Sequence, residues 1–451
     1  MPKHGVGETD SDRSRAWRAV SGMDRRSFIG LLAANSALLA GAKAQDTTPT
    51  YQVGVGYSTD PYTAASVALS ASGQFPNVAG KTVVIKPNLV VPQPASSGAT
   101  TDPNVVKAIV DLCIAGGATQ ILIIEAPLPG RNPYWGACGY SAIFTAKAYP
   151  QVQLVNLATA AYVLTPVPGG GSAYQQMWVP SIVMQPNTVF ISAGKLKTHV
   201  DAVVTMSMKN LVGLASLTAY ATVPPGIGLP RHDLHLRSIY QSIVDLNMVV
   251  PIQFAVIDGV WGMEGNGPVS GTPVATNVVL AGLNPVAVDR VGLNVMEFAQ
   301  NSVTYLNYAS QAGLGPANTS NVILLGDTYT PYPFIPPIAT PLLFAPACTP
   351  NTISLSSGSF SVKIKYAIPN TCFTHAAIIQ DSDVTPAVNV IQTLHAFKEV
   401  KAPGESLIWN GLDAAGNLVQ PGTYYAQIQA IPSPSGSAND NYAVGRITVT
   451  A

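Results

Sequence analysis

Charge is what this chain has least of: charged side chains make up 10% of its 451 residues, against about 25% in an average soluble protein. The 23 cationic and 23 acidic residues cancel. Such a chain has no general basic face, so nucleic acid is not expected as a partner. Cysteine is scarce too. Cys113, Cys138, Cys348 and Cys372 are the four, and none sits in a C-x-x-C pair, so no iron–sulfur cluster or zinc knuckle is expected. Cys113 falls on the apolar face of a predicted helix, a core position. Cys348 and Cys372 could join in an oxidising compartment. A nucleophile elbow, an H-E-x-x-H helix, an EF-hand loop and a P-loop are all missing, so hydrolase and metalloprotease readings lack support.

What is present begins with an address. Asp24-Arg25-Arg26-Ser27-Phe28-Ile29 precedes a modest apolar run from Leu31 to Ala40, then Ala42-Lys43-Ala44. That is the order of a twin-arginine signal peptide with a small-x-small cleavage site. Met23 offers an alternative start. The apolar run is shorter than the roughly 20 residues that span a bilayer, and no later segment reads as a span. The expectation is a protein exported already folded, periplasmic or extracellular and not membrane-spanning. Export in the folded state is a common route for proteins loaded with a cofactor in the cytoplasm.

After residues 1–44, residues 45–329 alternate buried strands with helices. Thr82 to Lys86 is a β-branched run stopped by Pro87; Ile121 to Ile124 is a second apolar run. Between them Asp102 and Pro103 open a helix that Gly116-Gly117 closes. Further strands are expected at 152–157, 189–192, 253–258, 278–281 and 322–325, and a helix opens at Asn284-Pro285. This predicts an α/β fold, a mostly parallel sheet with helices on both faces. A proline-rich linker is expected at 330–350. Residues 351–451 then read as short alternating strands, a small all-β sandwich.

Three segments carry candidate chemistry. Lys195-Leu196-Lys197-Thr198-His199 follows a buried strand and continues to Lys209-Asn210. A strand end opening into these residues suits a carboxylate or phosphate; a solvated basic loop is the alternative. His232-Asp233-Leu234-His235 adds two imidazoles for metal ligation or acid–base work, or is a surface histidine pair. Asp258 ends another strand and leads into a glycine-rich loop with Glu264, Gly265 and Gly267. Those glycines allow close backbone approach to a ligand, or simply form a tight turn.

In this order the pieces resemble the domain-of-unknown-function 362 family. The resemblance rests on Lys86-Pro87-Asn88, Thr101-x-Pro103, Lys195 to His199, Lys209-Asn210, Asp258 to Pro268, and Asn284-Pro285 to Asp289. It implies an α/β fold and no settled activity; the C-x-x-C-rich segment often fused to members is missing here. A more distant likeness is to the lactate racemase family, in which a lysine ten residues after a histidine tethers a nickel-pincer nucleotide. His199 and Lys209 have that spacing, with His232 or His235 in the part of a further nickel ligand. At the C-terminus, Trp409-Asn410-Gly411, Asp413, Gly416-Asn417 and Pro421 to Tyr424 resemble the immunoglobulin-like domain of flagellar hook-capping proteins. That resemblance implies a spacer or a surface for an envelope partner.

Two function classes follow. In the first, an enzyme or cofactor-binding protein holds a small anionic ligand, metal ion or nickel-containing nucleotide at the strand ends. Its candidate catalytic residues are His199, Lys209, Asp258 and Glu264. Lys86, Lys195, Lys197, Asn210, Gly265 and Gly267 are its binding residues, and His199, His232 and His235 its metal ligands. In the second, the same crevice binds without chemistry and the sandwich docks the protein.

Overall fold

The computed structural model describes residues 49–126, 134–221, 231–337, 345–357, 360–368, 371–380, 389–431 and 441–451. The expected signal peptide and the middle of the proline-rich segment lie outside them. β1 (Tyr51–Tyr57) and α1 (Pro61–Ala71) lead to β2 (Thr82–Pro87), α2 (Pro103–Ala115), β3 (Gln120–Glu125), a single turn α3 (Tyr140–Ile143) and β4 (Val152–Asn156). A hairpin of β5 (Tyr162–Pro166) and β6 (Gln176–Pro180) precedes the long β7 (Thr188–His199) and short β8 (Val203–Thr205). Then come α4 (His232–Leu236), α5 (Ile239–Val249), β9 (Phe254–Glu264), β10 (Thr272–Val274) and β11 (Val278–Gly282). The helices α6 (Pro285–Val295) and α7 (Thr304–Gln311) and the strand β12 (Val322–Gly326) follow.

The main sheet runs β12-β1-β11-β9-β7-β2-β3-β4. Neighbours pair parallel except on the two sides of β11, so the sheet is mixed and mostly parallel. Strand alternation sends side chains to two separate cores. On one face Val83, Ile85, Ile121 and Ile191 meet Ala64 and Ala68 of α1 and Val105 and Ile109 of α2. On the other, Val53, Phe190 and Ile257 meet Ile243 of α5, Val291 of α6 and Leu306 of α7. Helix α1 rests directly on β1 because Gly56 lacks a side chain; a Cβ there would sit 1.9 Å from the Ala64 carbonyl oxygen. Asp102 caps α2 as its sequence suggests, accepting from the Asn104 N–H at 2.8 Å. Among the described residues no helix is long and apolar enough to cross a membrane.

The C-terminal region is β-rich. It contains β13 (Ala347–Thr349), β14 (Thr352–Ser354), β15 (Val362–Ala367), β16 (Cys372–Gln380), β17 (Asn389–Val400), β18 (Gly404–Trp409), β19 (Gly422–Ile431) and β20 (Asn441–Thr450). They form a sheet β13-β15-β18 and a sheet β14-β20-β19-β16-β17. Val362 and Ile364 of the first sheet share a core with Ile378, Tyr424 and Ile447 of the second. Asp413 closes a turn by accepting from the Ala415 and Asn417 N–H groups, and Trp409 packs on Tyr424 with centroids 5.5 Å apart. Cys348 and Cys372 lie in different sheets as free thiols.

Candidate functional site

Strands β2, β3, β7 and β9 all end on one side of the sheet, and their carboxyl ends gather a cluster of the chain's scarce charged residues into one buried crevice. This is where an open α/β sheet binds its ligands. Strand β7 continues beyond the expected 189–192 and runs unbroken through His199. The segment expected as a loop is therefore strand, and its two-residue period puts Lys195, Lys197 and His199 on one face.

Several of these groups satisfy one another. Lys195 and Asp258 are fully buried and form an ion pair of 2.7 Å. Asp258 also accepts from the Asp102 N–H at 2.7 Å, tying the start of α2 to β9. Lys86 pairs with Glu125 at 3.0 Å and donates to the Pro87 carbonyl. Burial outweighs that pairing and lowers the Lys86 pKa. Asn210 donates to the Lys86 carbonyl and the Ser192 hydroxyl, and its own amide oxygen accepts from Asn88. Lys197 uses its ammonium on three neutral oxygens, those of Ala99 at 2.5 Å and of Asn88 and Pro268 at 3.1 Å each. Burial, then Lys209 and Lys195, hold its pKa well below the usual lysine range.

The glycine-rich loop also serves the fold. The Glu264 carboxylate accepts from the Ile335 N–H at 2.8 Å, and Gly265 N–H donates to the Ile335 carbonyl. Gly267 passes so close to Thr198 that a Cβ would lie 2.1 Å from its carbonyl oxygen. Gly265 adopts φ +73°, where glycine is favoured. Sequence spacing nominated these residues for a ligand; the fold uses their side chains and backbone to close the loop on β7.

The open chemistry gathers at the tip of β7. Lys209 begins a 3-10 turn, Lys209–Leu214. It is 9% exposed, and its ammonium has no hydrogen bond or ion pair among the described residues. Burial lowers its pKa to about 8, against the opposing pull of Asp201. His199 Nδ1 accepts from the Asp201 N–H at 3.1 Å, which leaves the proton of the neutral ring on Nε2. The Asp201 carboxylate lies 3.8 Å from His199 Nδ1 and 3.9 Å from His235 Nδ1. Burial, followed by Lys209, holds His199 well below the usual histidine range. His235 is pushed down to about 4, mainly by burial and against the pull of Asp201. Both rings are therefore neutral at pH 7.

The trio His199, His232 and His235 is not gathered as three donors. His232 and His235, one turn apart on α4, stack with centroids 6.5 Å apart. Among the described residues no group of three His, Cys, Asp or Glu side chains is arranged to hold a metal ion. Asp201 went unremarked in the sequence, although an acid two residues beyond His199 in a basic segment was a usable signal. Asp289, a motif residue without an assigned role, accepts from Ser207 N–H at 2.9 Å and Met208 N–H at 3.2 Å and so fixes the approach to Lys209. A separate hollow past β12, lined by Leu324, Gly326, Asp327, Thr328, Tyr329 and Pro331, holds none of the crevice cations.

Residues 83–294 match the family described as domain of unknown function (DUF362). The chain carries a DUF362 domain. That stretch includes the crevice residues from Lys86 to Asp289; Ile335, whose N–H donates to Glu264, lies beyond it. A thylakoid-associated protein of Synechocystis sp. is 23% identical to this chain over 246 residues, covering 52% of this chain and 70% of its own. A β-glucosidase structure from Erythrobacter marinus aligns with 83% of this chain and 47% of its own length, less than half of that enzyme. Its identity is 14% and its TM-score 0.15, which supports no shared fold.

Proposed function

We propose that the DUF362 domain binds a small anionic ligand, a carboxylate or phosphate, at Lys209, with His199 and His235 beside it as proton-transfer groups. The observation that carries this is the contrast among the crevice lysines: Lys86, Lys195 and Lys197 have hydrogen-bond or ion-pair partners, and Lys209 has none among the described residues. Beyond the pull of Asp201, the Lys209 ammonium makes no direct hydrogen bond or ion pair among the described residues, and an anionic ligand would supply one. The neutral His235 ring can accept a proton there, while His199, its Nδ1 already taken by the Asp201 N–H, offers its Nε2–H as a hydrogen-bond donor. The test is calorimetric affinity for inorganic phosphate and small carboxylates in Lys209→Ala and His199→Ala. Loss of a charge-assisted hydrogen bond predicts a drop of about tenfold or more for Lys209→Ala. Unchanged affinity in both folded variants overturns the proposal.

The unpartnered Lys209 is also where the likeness to lactate racemases places a tethered nucleotide. Denatured intact mass and elemental analysis of natively purified protein test that reading. An added mass on Lys209 with stoichiometric metal supports it; a bare chain rejects it and leaves reversible anion binding.

A second reading is a non-catalytic envelope protein, exported by the twin-arginine signal, whose crevice binds a solute without turning it over. Support comes from the C-terminal region, whose two sheets share one core in the manner of an immunoglobulin-like module and whose strand β17 forms an edge of its sheet. Sheet edges accept added strands from partners. Fractionation of the native host with N-terminal sequencing checks export and cleavage after Ala44.

A further inference from the structure

The helix carrying His232 and His235 has five residues, too few to persist without tertiary support. Non-glycine residues with positive φ stand at both its ends, Arg231 at 62° and Ser238 at 91°. Such backbone persists only where its surroundings over-determine it. Part of that support comes from the DUF362 domain, where Asp233 N–H donates to the Tyr220 carbonyl and Tyr174 Oη to the Asp233 carbonyl.

The rest comes from the C-terminal region. The Arg237 guanidinium lies between the Tyr174 ring at 4.1 Å and the Tyr425 ring at 5.0 Å, and donates to the Ala173 carbonyl at 2.8 Å. Gln427 donates to the Leu236 carbonyl at 2.6 Å, next to His235. Gln241 of α5 exchanges two hydrogen bonds with the Val444 backbone, and Arg446 donates to the Gly171 carbonyl. Ala377, Ile379, Tyr425 and Val444 belong to the core of the main sheet. The alternate residues Ile378, Tyr424 and Ala426 face the three-stranded sheet. The five-stranded sheet is thus buried on both faces, one of them against α4 and α5.

We infer that the C-terminal five-stranded sheet sets the place of His235 at the crevice mouth, with Arg237 and Gln427 as positioning residues. The C-terminal region then completes the site instead of trailing from it. The importance of that place for activity rests on the proposed anion site; the placement itself does not. Groups facing His235 are Asp201, Lys209, His232 and His199.

The test uses the full chain with Gln427→Ala and Arg237→Lys, the latter keeping the charge but losing the planar stack. Hydrogen exchange of residues 231–238 and NMR titration of His235 are the readouts. Loss of one buried hydrogen bond in Gln427→Ala predicts exchange about fivefold to tenfold faster in that segment. The His235 midpoint is expected to rise toward the ordinary value of about 6.5, with His199 moving less. Should Arg237→Lys fail to fold, Gln427→Ala decides alone. Unchanged exchange and an unmoved His235 midpoint in a folded variant overturn the inference. Failure of the anion proposal would show separately, as unchanged phosphate affinity in Lys209→Ala while these readouts still shift.

Discussion

The two sides of the crevice use the same residue types to opposite ends. On the β2–β3–β9 side, Lys86 faces Glu125 and Lys195 faces Asp258, each pair almost fully removed from water. At the β7 tip, Lys209, His199 and His235 share one carboxylate, Asp201, and only at 3.8 Å or more from the rings. The first side is held together by close ion pairs; at the second, Asp201 and Lys209 act on each other without a direct bond among the described residues. A buried basic cluster therefore divides into lysines with partners and one, Lys209, without a partner among the described residues, and residue type alone does not divide it.

Breaking the satisfied side should have the largest effect. Asp258→Ala strands Lys195 in a dry interior and frees the Asp102 N–H, and is expected to cost about 3–5 kcal/mol in chemical denaturation. A loss below about 1 kcal/mol would mean that Lys195 is held by something other than the pair. Lys209→Ala should behave in the opposite manner. Its unfolding midpoint should stay at or above that of the parent protein while anion affinity falls by about tenfold or more; marked destabilisation would move Lys209 to the structural side.

Next is a pH effect. Burial raises Asp289 to about 7 and Asp245 to about 6. The folded protein thus holds these protons more tightly than the unfolded chain does. The resulting stability is complete below about pH 4 and is lost as pH climbs through about 7. Asp289→Asn should flatten the upper part of that slope in denaturation series at stepped pH, and an unchanged slope would assign it to other groups. The smallest effect belongs to a pair that is satisfied but solvated. Lys107 and Asp111 are 2.7 Å apart on α2 with about a third of each side chain exposed, and Lys107→Ala should cost under about 0.5 kcal/mol.

Much of the fold was legible because its signals are local. Asp102-Pro103 opens α2, Gly116 ends it, and β19 spans the residues its apolar alternation marks. Helix α5 was not legible, since all its residues except Met248 are buried and an amphipathic stripe is lost. Its polar residues Gln241 and Asp245 are inside because they bind backbone far away in the chain, Val444 for one and the Ser172 to Tyr174 amides for the other. The charged residues of the crevice were legible in the sequence, but their pairings were not. Asp258, Glu264, Gly265 and Gly267 were marked as ligand contacts by sequence, while their partners in the fold, Lys195, the Asp102 N–H, Ile335 and Thr198, lie far from them in the chain.

The chain's own order of residues determined the alternating strands and helices, the DUF362 motif series and the clustering of lysine and histidine after β7, since caps, periods and turns act over a few residues. Tertiary structure alone decided which lysine stays without a partner among the described residues. The carboxylates that neutralise Lys86 and Lys195 lie 39 and 63 residues away in sequence, and a charge 3 Å off in space but tens of residues off in the chain leaves no local pattern. The same reason hid the link between the last two strands and the histidine helix, in which Gln427 reaches Leu236 across 191 residues.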